Sequence, residues 1–318
     1  MKVLSILAVW LGLSSKLQGS NASAAGASAL KALREIDYRF FVAGGTCAAI
    51  SHGITTPIDV VKTRIQANPK AYDKGLLAAT ADIIKKEGAG VLLSGLGPTV
   101  VGYGIEGAMK FGVYEVAKPI FAAIWKEHTA LAFIMASVVA GAVAAVLLCP
   151  MESLRIRQVT DPKYAGDSLL TGLPRLIKES GFLSLFGGVL AMLAKQVPYT
   201  FGKQVSFDVI AATLYAMLSK VMEVVNKWIV SVSAAFCASM VACIFSQPGD
   251  MILTETYKGH EPGKFGLVLA NIYKRGGIPE FFRGTGARMI HVGMIITSQL
   301  VIYDVVKQLL GLPATGSH

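Results

Sequence analysis

The chain has 318 residues, of which 53% are hydrophobic and only 16% are charged. Soluble globular proteins usually carry about 25% charged residues, so the composition argues against a soluble domain and indicates a membrane protein. The formal net charge is +10, but the chain has no basic tail and no nucleic-acid-binding motif, and its cations lie within or beside apolar segments. These observations exclude nucleic acid as the expected partner and favour an anionic solute or an anionic lipid.

The first 37 residues differ from the rest of the chain. Lys2 precedes an apolar run over Val3–Leu13, and a stretch rich in Ser, Ala and Gly continues to Ala29. This layout is typical of a secretory signal peptide, and the apolar run is too short to span a bilayer comfortably. The sequence therefore predicts a leader over residues 1–37, either a targeting peptide or an uncleaved extension.

The rest of the chain repeats itself three times. Pro57, Pro150 and Pro248 are 93 and 98 residues apart. Each is followed 29 or 31 residues later by two glycines seven residues apart, namely Gly88 and Gly95, Gly181 and Gly188, and Gly277 and Gly284. Two independent markers that recur together three times at nearly the same spacing indicate an internal repeat of about 95 residues. The predicted repeats cover 38–125, 126–220 and 221–312.

Each repeat contains two long apolar segments that are predicted to be helices. Ala130–Leu148 has nineteen residues without a charge, which as a helix span about 28 Å and match the hydrocarbon thickness of a bilayer. The six predicted helices cover 38–66, 97–122, 129–159, 190–218, 228–257 and 285–310. Polar stretches such as Lys70–Lys86 and Lys163–Lys178 predict short surface helices. The predicted fold is an all-α membrane protein with six transmembrane helices in three pseudo-symmetric repeats.

The three prolines open a charged motif. It reads Pro57-x-Asp59-x-x-Lys62, Pro150-x-Glu152-x-x-Arg155 and Pro248-x-Asp250-x-x-Leu253. A proline removes a backbone hydrogen bond and kinks a helix, so we expect the three helices to converge near these charges. Because charges in such a place are costly unless they are paired, the motif predicts a ring of carboxylate–cation pairs that closes one end of a cavity. Leu253 provides no cation, so one of the three pairs is missing.

This triple motif resembles the mitochondrial carrier family, over residues about 38–310. The resemblance implies that the ring is the matrix gate, formed by Asp59, Lys62, Glu152, Arg155 and Asp250, and that the short helices lie on the matrix side. Phosphate carriers are similar in lacking a basic residue at the third position. For each charge the alternative is an ordinary surface ion pair at a helix end, but the repetition in register favours a gate.

A second family motif, aromatic-acid-x-x-basic, matches near the far end of the even-numbered long helices. Tyr114–Lys118 and Tyr303–Lys307 fit the motif, whereas Phe207–Ala211 lacks its cation. The resemblance implies a cytoplasmic gate built from Glu115, Lys118, Asp208, Asp304 and Lys307.

Polar side chains recur at helical spacing in the middle of the long helices. Those on the second helix share one face, those on the fourth share another, and one cation stands on the sixth. Four cations in mid-membrane favour an anionic substrate, because the alternative, lysines that reach the membrane interface, fits mid-helix positions poorly. The predicted substrate-binding residues are Thr99, Tyr103, Glu106, Lys110, Lys195, Tyr199, Lys203 and Arg288.

Several segments are similar in sequence to phosphate carriers, namely Pro57–Gln66, Gly97–Gly112, Pro150–Arg157 and Lys195–Tyr199 with Lys203. The resemblance implies electroneutral symport of inorganic phosphate and protons, with phosphate held by Thr99, Tyr103, Lys110, Lys195 and Lys203. It also implies that His52 belongs to the proton-coupling set, since imidazole changes its charge near neutral pH; the alternative is a packing histidine.

Two departures from phosphate carriers affect proton coupling. Phosphate carriers usually have glutamine at the position of Glu106, and they carry carboxylates where this chain has Gly141 and Ala145. Glu106 places one carboxylate in the cavity in spite of these losses, four residues before Lys110. We therefore hypothesise that Glu106 is a relocated proton acceptor, which also places it in the proton-coupling set.

The predicted activity is alternating-access transport without enzymatic chemistry. The chain has no Walker loop, no His-Glu-x-x-His and no nucleophile elbow, and its four cysteines stand singly in apolar stretches, so no cofactor or metal is expected. Two alternatives stay open, a carrier of another small anion or metabolite and a non-transporting adaptor. Expected partners are phosphate, protons and cardiolipin, and a monomer is expected. The expected location is the mitochondrial inner membrane or, given the leader, a plastid envelope or other endomembrane.

Overall fold

The structure is a computed structural model that describes residues 38–68, 70–72, 74–125, 128–218, 227–258 and 263–309. The predicted leader lies outside these ranges. The six long helices are α1 (Tyr38–Ala67), α3 (Leu96–Ile124), α4 (Thr129–Thr160), α6 (Val189–Leu218), α7 (Lys227–Tyr257) and α9 (Thr285–Leu309). Three short helices lie between them, α2 (Leu76–Glu87), α5 (Leu169–Ser180) and α8 (Phe265–Gly276). The prediction of an all-α fold is confirmed.

The long helices form a closed ring around a central space. In the order α1, α3, α4, α6, α7, α9, each helix packs against the next, and α9 packs back against α1. The short helices α2, α5 and α8 pack against α1, α4 and α7, respectively. Residues on the inner face of the ring therefore come from all three repeats.

Hydropathy alone identifies only part of this ring. Among the described residues, three helical stretches are long and apolar enough to cross a membrane, Thr129–Thr160, Phe182–Leu214 and Val232–Tyr257. A fourth span results if Leu76–Glu87 and Ala89–Ile124, which meet at an angle of 117°, are counted together. The helices α1 and α9 fall outside this set because they carry inward-facing polar residues such as His52 and Arg288.

Small residues let α1 and α3 approach closely. A Cβ atom added to Gly107 would lie 2.5 Å from the Cβ of Ala48 and 2.7 Å from the carbonyl oxygen of Gly44. Close contact of this kind through small residues is a common way for membrane helices to associate. The position of the polar face of α3 relative to α1 therefore depends on Gly107.

The glycine markers of the repeat have two physical explanations. Five of them have positive φ angles between 67° and 84°, which favour glycine; they are Gly88, Gly95, Gly181, Gly277 and Gly284. The sixth, Gly188, is required for space, since a Cβ atom there would lie 2.4 Å from the ring of Tyr257. The hydroxyl of Tyr257 accepts a hydrogen bond from the Gly188 amide (2.8 Å) and donates one to the Leu185 carbonyl (2.9 Å).

A polar cluster fixes α5 beside the loop that precedes it. The hydroxyl of Tyr164 donates a hydrogen bond to Glu179, and Arg175 donates to both Glu179 (2.9 Å) and Asp167 (3.1 Å). Burial raises the pKa of Tyr164 to about 12. The hydrogen bonds from Tyr164 and Arg175 hold the pKa of Glu179 below its usual value.

Candidate functional site

The carboxylate of Asp250 is the centre of a buried ion-pair network at the converging ends of α1, α4 and α7. It lies 3.0 Å from the ammonium of Lys62, 3.1 Å from that of Lys195 and 3.7 Å from the guanidinium of Arg288. The side-chain amide of Gln66 donates a further hydrogen bond to it at 2.9 Å. Asp250 is 2% exposed, so these partners offset the desolvation of its charge.

Asp59 and Glu152 complete this network. The guanidinium of Arg155 donates two hydrogen bonds of 2.8 Å to Glu152 on its own helix and also pairs with Asp59 on α1. Asp59 contacts Lys62 at 3.2 Å. We call Asp59, Lys62, Glu152, Arg155, Lys195, Asp250 and Arg288 the ion-pair network. It contains all five residues predicted for the first gate, joined by cross-helix pairs between Asp59 and Arg155 and between Lys62 and Asp250.

The third cation of the network comes from an unexpected helix. Leu253, at the position of the missing cation, is 1% exposed and belongs to an apolar cluster. Instead, Lys195 of α6 reaches Glu152 at 3.6 Å as well as Asp250 at 3.1 Å. Sequence reasoning placed Lys195 with the substrate alone, whereas the structure joins it to two gate carboxylates.

A cavity of about 580 Å³ lies inside the ring, with the ion-pair network at one end. All but one of the predicted central residues line it, namely His52, Tyr103, Glu106, Lys110, Lys195, Tyr199, Lys203 and Arg288. The exception is Thr99, which is buried outside the cavity and donates its hydroxyl to the Gly95 carbonyl at 2.7 Å. Thr99 shares a helix face with Tyr103 but lies one turn earlier, in the first turn of α3, where it does not line the cavity.

Glu106 forms a polar bridge across the cavity wall. Its carboxylate pairs with Lys110 one turn later and accepts a hydrogen bond from the side-chain amide of Gln196 at 3.0 Å. A Cβ atom added to Gly141 would lie 2.8 Å from the Thr200 hydroxyl and 3.7 Å from Gln196. A longer side chain at position 141 would therefore contact the α6 residues that lie beside Glu106.

Arg288 is fixed against α7 as well as against the network. Its guanidinium donates to the hydroxyl of Ser246 at 2.7 Å and to the side-chain oxygen of Gln247 at 3.2 Å. With 4% exposure, the side chain has little freedom to reorient. Arg288 therefore contributes a fixed positive charge to the cavity wall.

The comparison with known proteins agrees with this architecture. The family described as "Mitochondrial carrier protein" matches the chain three times, over residues 38–124, 126–218 and 225–313. The chain belongs to the mitochondrial carrier family. Proteins of this family are transporters, which agrees with the absence of enzymatic motifs from the sequence.

The relatives of this carrier include several phosphate carriers. "Mitochondrial substrate carrier family protein N" of Dictyostelium discoideum is 37% identical, with 85% of this chain and 93% of the relative covered. "Probable mitochondrial phosphate carrier protein" of Schizosaccharomyces pombe is 31% identical, with 88% and 93% covered. "Mitochondrial phosphate carrier protein 2, mitochondrial" of Arabidopsis thaliana is 35% identical, with 86% and 77% covered. The predicted similarity to the family and to its phosphate carriers is confirmed.

The structure of the carrier also reveals residues that sequence reasoning missed. His291 of α9 lies 3.4 Å from Asp59 and 3.2 Å from the Thr55 hydroxyl. His52 stacks on Tyr103 with ring centroids 3.6 Å apart. His291 stands three residues after Arg288, so its helical position beside a predicted cavity residue was the signal that could have identified it.

The predicted second gate falls mostly outside the described side chains. The structure does not describe the side chains of Glu115, Asp208, Asp304 and Lys307. Lys118 is described, and its ammonium lies 5.0 Å from the ring centroid of Phe133 and 5.7 Å from that of Tyr114. The gate role of these five residues stays a prediction.

Proposed function

We propose that this carrier transports inorganic phosphate across the mitochondrial inner membrane by alternating access, coupled to protons or to hydroxide exchange. The observation that carries the proposal is the charge of the central cavity and its network. They hold six basic residues, Lys62, Lys110, Arg155, Lys195, Lys203 and Arg288, against four acidic residues, Asp59, Glu106, Glu152 and Asp250. The excess of two positive charges, in surroundings of low dielectric, favours a small divalent anion.

Lys203 is the cation most available to this anion. It lines the cavity on the same face of α6 as Lys195 and Tyr199. Among the described residues, no carboxylate oxygen lies within 4.0 Å of its ammonium, whereas Lys110 is already paired with Glu106. An ammonium without a carboxylate partner can hold a phosphate without first breaking an ion pair.

The ion-pair network supplies the gate in this proposal. With its pairs formed, the cavity is closed at the end that the family resemblance assigns to the matrix. Lys195 is shared between the network and the cavity, so an anion that draws its ammonium away from Asp250 and Glu152 weakens the gate. Substrate binding and gate opening are thereby coupled through one side chain.

Proton coupling is assigned to His52 and Glu106. Both line the cavity, and Glu106 lies beside Gln196, the residue that a side chain at position 141 would approach. This arrangement supports the hypothesis that the carboxylate function moved from α4, where Gly141 stands, to α3.

Cardiolipin is the lipid that we propose for this carrier. A second cavity of about 300 Å³ lies between the first two repeats, where the N-terminal turns of α3 and α5 meet around Gly95, Gly97 and Ser168. The free backbone amides of helix N-termini attract phosphate groups, so two such ends suit a lipid with two phosphates. We propose that the carrier acts as a monomer, because each of the two proposed sites lies within one chain.

Reconstitution of the full-length protein into liposomes tests the proposal. The wild type should take up labelled phosphate, and an imposed pH gradient that is acidic outside should stimulate the uptake. Lys203→Gln removes a charge-assisted contact of about 1.5–3 kcal/mol, and should lower the apparent affinity for phosphate roughly 10- to 100-fold. Lys178→Gln, which changes an exposed lysine of α5, is the matched control and should transport like the wild type.

Two outcomes would contradict the proposal. Uptake of another anion in preference to phosphate identifies a different carrier, and the absence of any transport favours an adaptor. Location is tested separately, by fusing residues 1–37 to a fluorescent protein. Import into mitochondria supports the inner membrane, whereas entry into the endoplasmic reticulum favours a plastid envelope or another endomembrane.

A further inference from the structure

We propose that His291 is the group that takes up a proton when the ion-pair network opens, so that proton binding and gate opening are one coupled event. This inference rests on the proposed function. It concerns a residue of α9 that lies between the substrate cavity and the gate. His291 lines the cavity and is 6% exposed.

Both ring nitrogens of His291 face hydrogen-bond acceptors. Nδ1 lies 3.4 Å from a carboxylate oxygen of Asp59. Nε2 lies 3.2 Å from the hydroxyl oxygen of Thr55, which donates its own proton to the backbone carbonyl of Ser51 at 2.9 Å. A hydroxyl has one proton to donate, so Thr55 accepts from Nε2 when its own proton lies toward Ser51 and donates to Nε2 when that nitrogen carries no proton. Neutral imidazole donates from one nitrogen, whereas imidazolium donates from both and satisfies both partners.

The charges around His291 oppose this protonation while the network is closed. The charged groups that face the ring are Asp59 and Lys62 from α1, Arg155 from α4 and Asp250 from α7. Asp59 is already paired with the cations of Lys62 and Arg155. Since these cations and the burial of the ring both disfavour a further positive charge, the closed network suits a neutral ring with its proton on Nδ1, toward Asp59.

Opening of the network reverses this balance. When α1 and α4 separate, Asp59 loses Arg155 and keeps only Lys62 of its own helix. The loss of one cation from a buried carboxylate is unfavourable unless another positive charge replaces it. A proton that binds Nε2 makes the ring of His291 cationic. The ring then gives Asp59 a positive charge in place of that of Arg155. By linkage, any state that binds the proton more tightly is favoured as the pH falls. An acidic cavity therefore favours gate opening.

His52 lies next to His291 in the wall of the cavity. The two imidazole rings meet edge to face with centroids 6.4 Å apart. His52 lies between His291 and Tyr103, on which it stacks. The charged groups that face His52 are His291, Asp59, Lys110 and Lys195. A second imidazole therefore lies beside His291 in the cavity wall, within the path of a proton that enters from the cavity.

The test compares the full-length wild type with His291→Gln in liposomes. It measures phosphate uptake together with the acidification of the liposome interior, which a trapped pH-sensitive dye reports. The matched control is His128→Gln, at an exposed histidine that precedes α4. The wild type and the control should show faster phosphate uptake when the outside is acidic, and His291→Gln should lose that stimulation. Equal acid stimulation in His291→Gln, whatever its absolute rate, would overturn the inference. If His291→Gln does not fold, His291→Asn is measured in its place.

A readout that needs no transport separates this inference from the proposed function. Thermal unfolding of the detergent-purified proteins is followed between about pH 5 and 8, the range in which histidine titrates. Because the closed network holds the ring neutral while the unfolded chain binds a proton, the wild type should lose stability relative to His291→Gln as the pH falls below the ordinary histidine pKa of about 6.5. A difference that stays constant with pH would mean that the closed network does not oppose protonation of the ring, and it overturns the inference. Absence of phosphate uptake by the wild type would contradict the proposed function alone.

Discussion

Replacing Asp250 by asparagine should destabilise the carrier more than any single change at an exposed ion pair. The substitution keeps the shape of the side chain and removes the charge at the centre of the network. Lys62, Lys195 and Arg288 each lose a partner within 3.7 Å. Each retains another one, since Lys62 contacts Asp59 at 3.2 Å, Lys195 contacts Glu152 at 3.6 Å, and Arg288 contacts Ser246 at 2.7 Å.

The expected magnitude follows from burial and from these remaining contacts. Removal of one partner from a buried ion pair costs about 3–5 kcal/mol. Because no cation is left without a partner, we expect a value at the lower end, about 3 kcal/mol. With roughly 2–4 °C for each kcal/mol in a chain of comparable size, the unfolding temperature should fall by roughly 6–12 °C.

Thermal unfolding in detergent measures this effect. The matched control is Asp82→Asn, which breaks an exposed pair with Lys86 at 2.7 Å, where the side chains are 37% and 65% exposed. Exposed pairs of this kind contribute almost nothing, so the control should unfold like the wild type. If Asp250→Asn unfolds within a degree or so of the control, the network does not hold the three repeats together and the gate argument fails.

Three further predictions concern other parts of the carrier. Glu106→Gln should weaken the stimulation of phosphate uptake by external acid, and an unchanged response in liposomes would rule out the relocated proton acceptor. Gly107→Ala should lower the free energy of unfolding by about 1–3 kcal/mol through overpacking, whereas Gly90→Ala, with nothing within 4 Å, should have little effect; equal effects would contradict the close packing of α1 and α3. Glu179→Gln should lower the unfolding temperature at neutral pH. Because the pKa of Glu179 is lowered in the folded state, its stabilisation is present above the ordinary pKa of about 4.3 and is lost as the pH falls from there through the lower pKa of the folded state. A difference that does not shrink as the pH falls below about 4 would refute this account.

The fold was largely predictable because its signals are local. The spacing of the prolines and glycines defines the repeat, and apolar runs define the helices, whose predicted bounds agree with α1, α3, α4, α6, α7 and α9 to within two residues. Charge spacing on single helices also identified the cavity residues, since residues three and four apart share a face. The spacing could not tell how far along the helix the cavity extends, and for this reason it wrongly placed Thr99 in the cavity.

Pair partners were less predictable because they depend on how helices from different repeats meet. Nothing in the neighbourhood of Lys195 indicates that its ammonium contacts Glu152 and Asp250 on two other helices. His291 and its partner Thr55 are 236 residues apart. The sequence shows that His291 shares a helix face with Arg288, but not which residue of another repeat that face contacts.

The sequence by itself determined the family, the all-α class and the positive character of the carrier's interior, because hydrophobic length, proline positions and the count of charges do not depend on long-range geometry. The tertiary structure alone decided which carboxylate each cation contacts, that Lys195 belongs to both gate and cavity, and that His291 lies against Asp59. Ion pairs and hydrogen bonds act over a few ångströms, so they are fixed only when the ring of helices closes and sets the rotation and depth of each one.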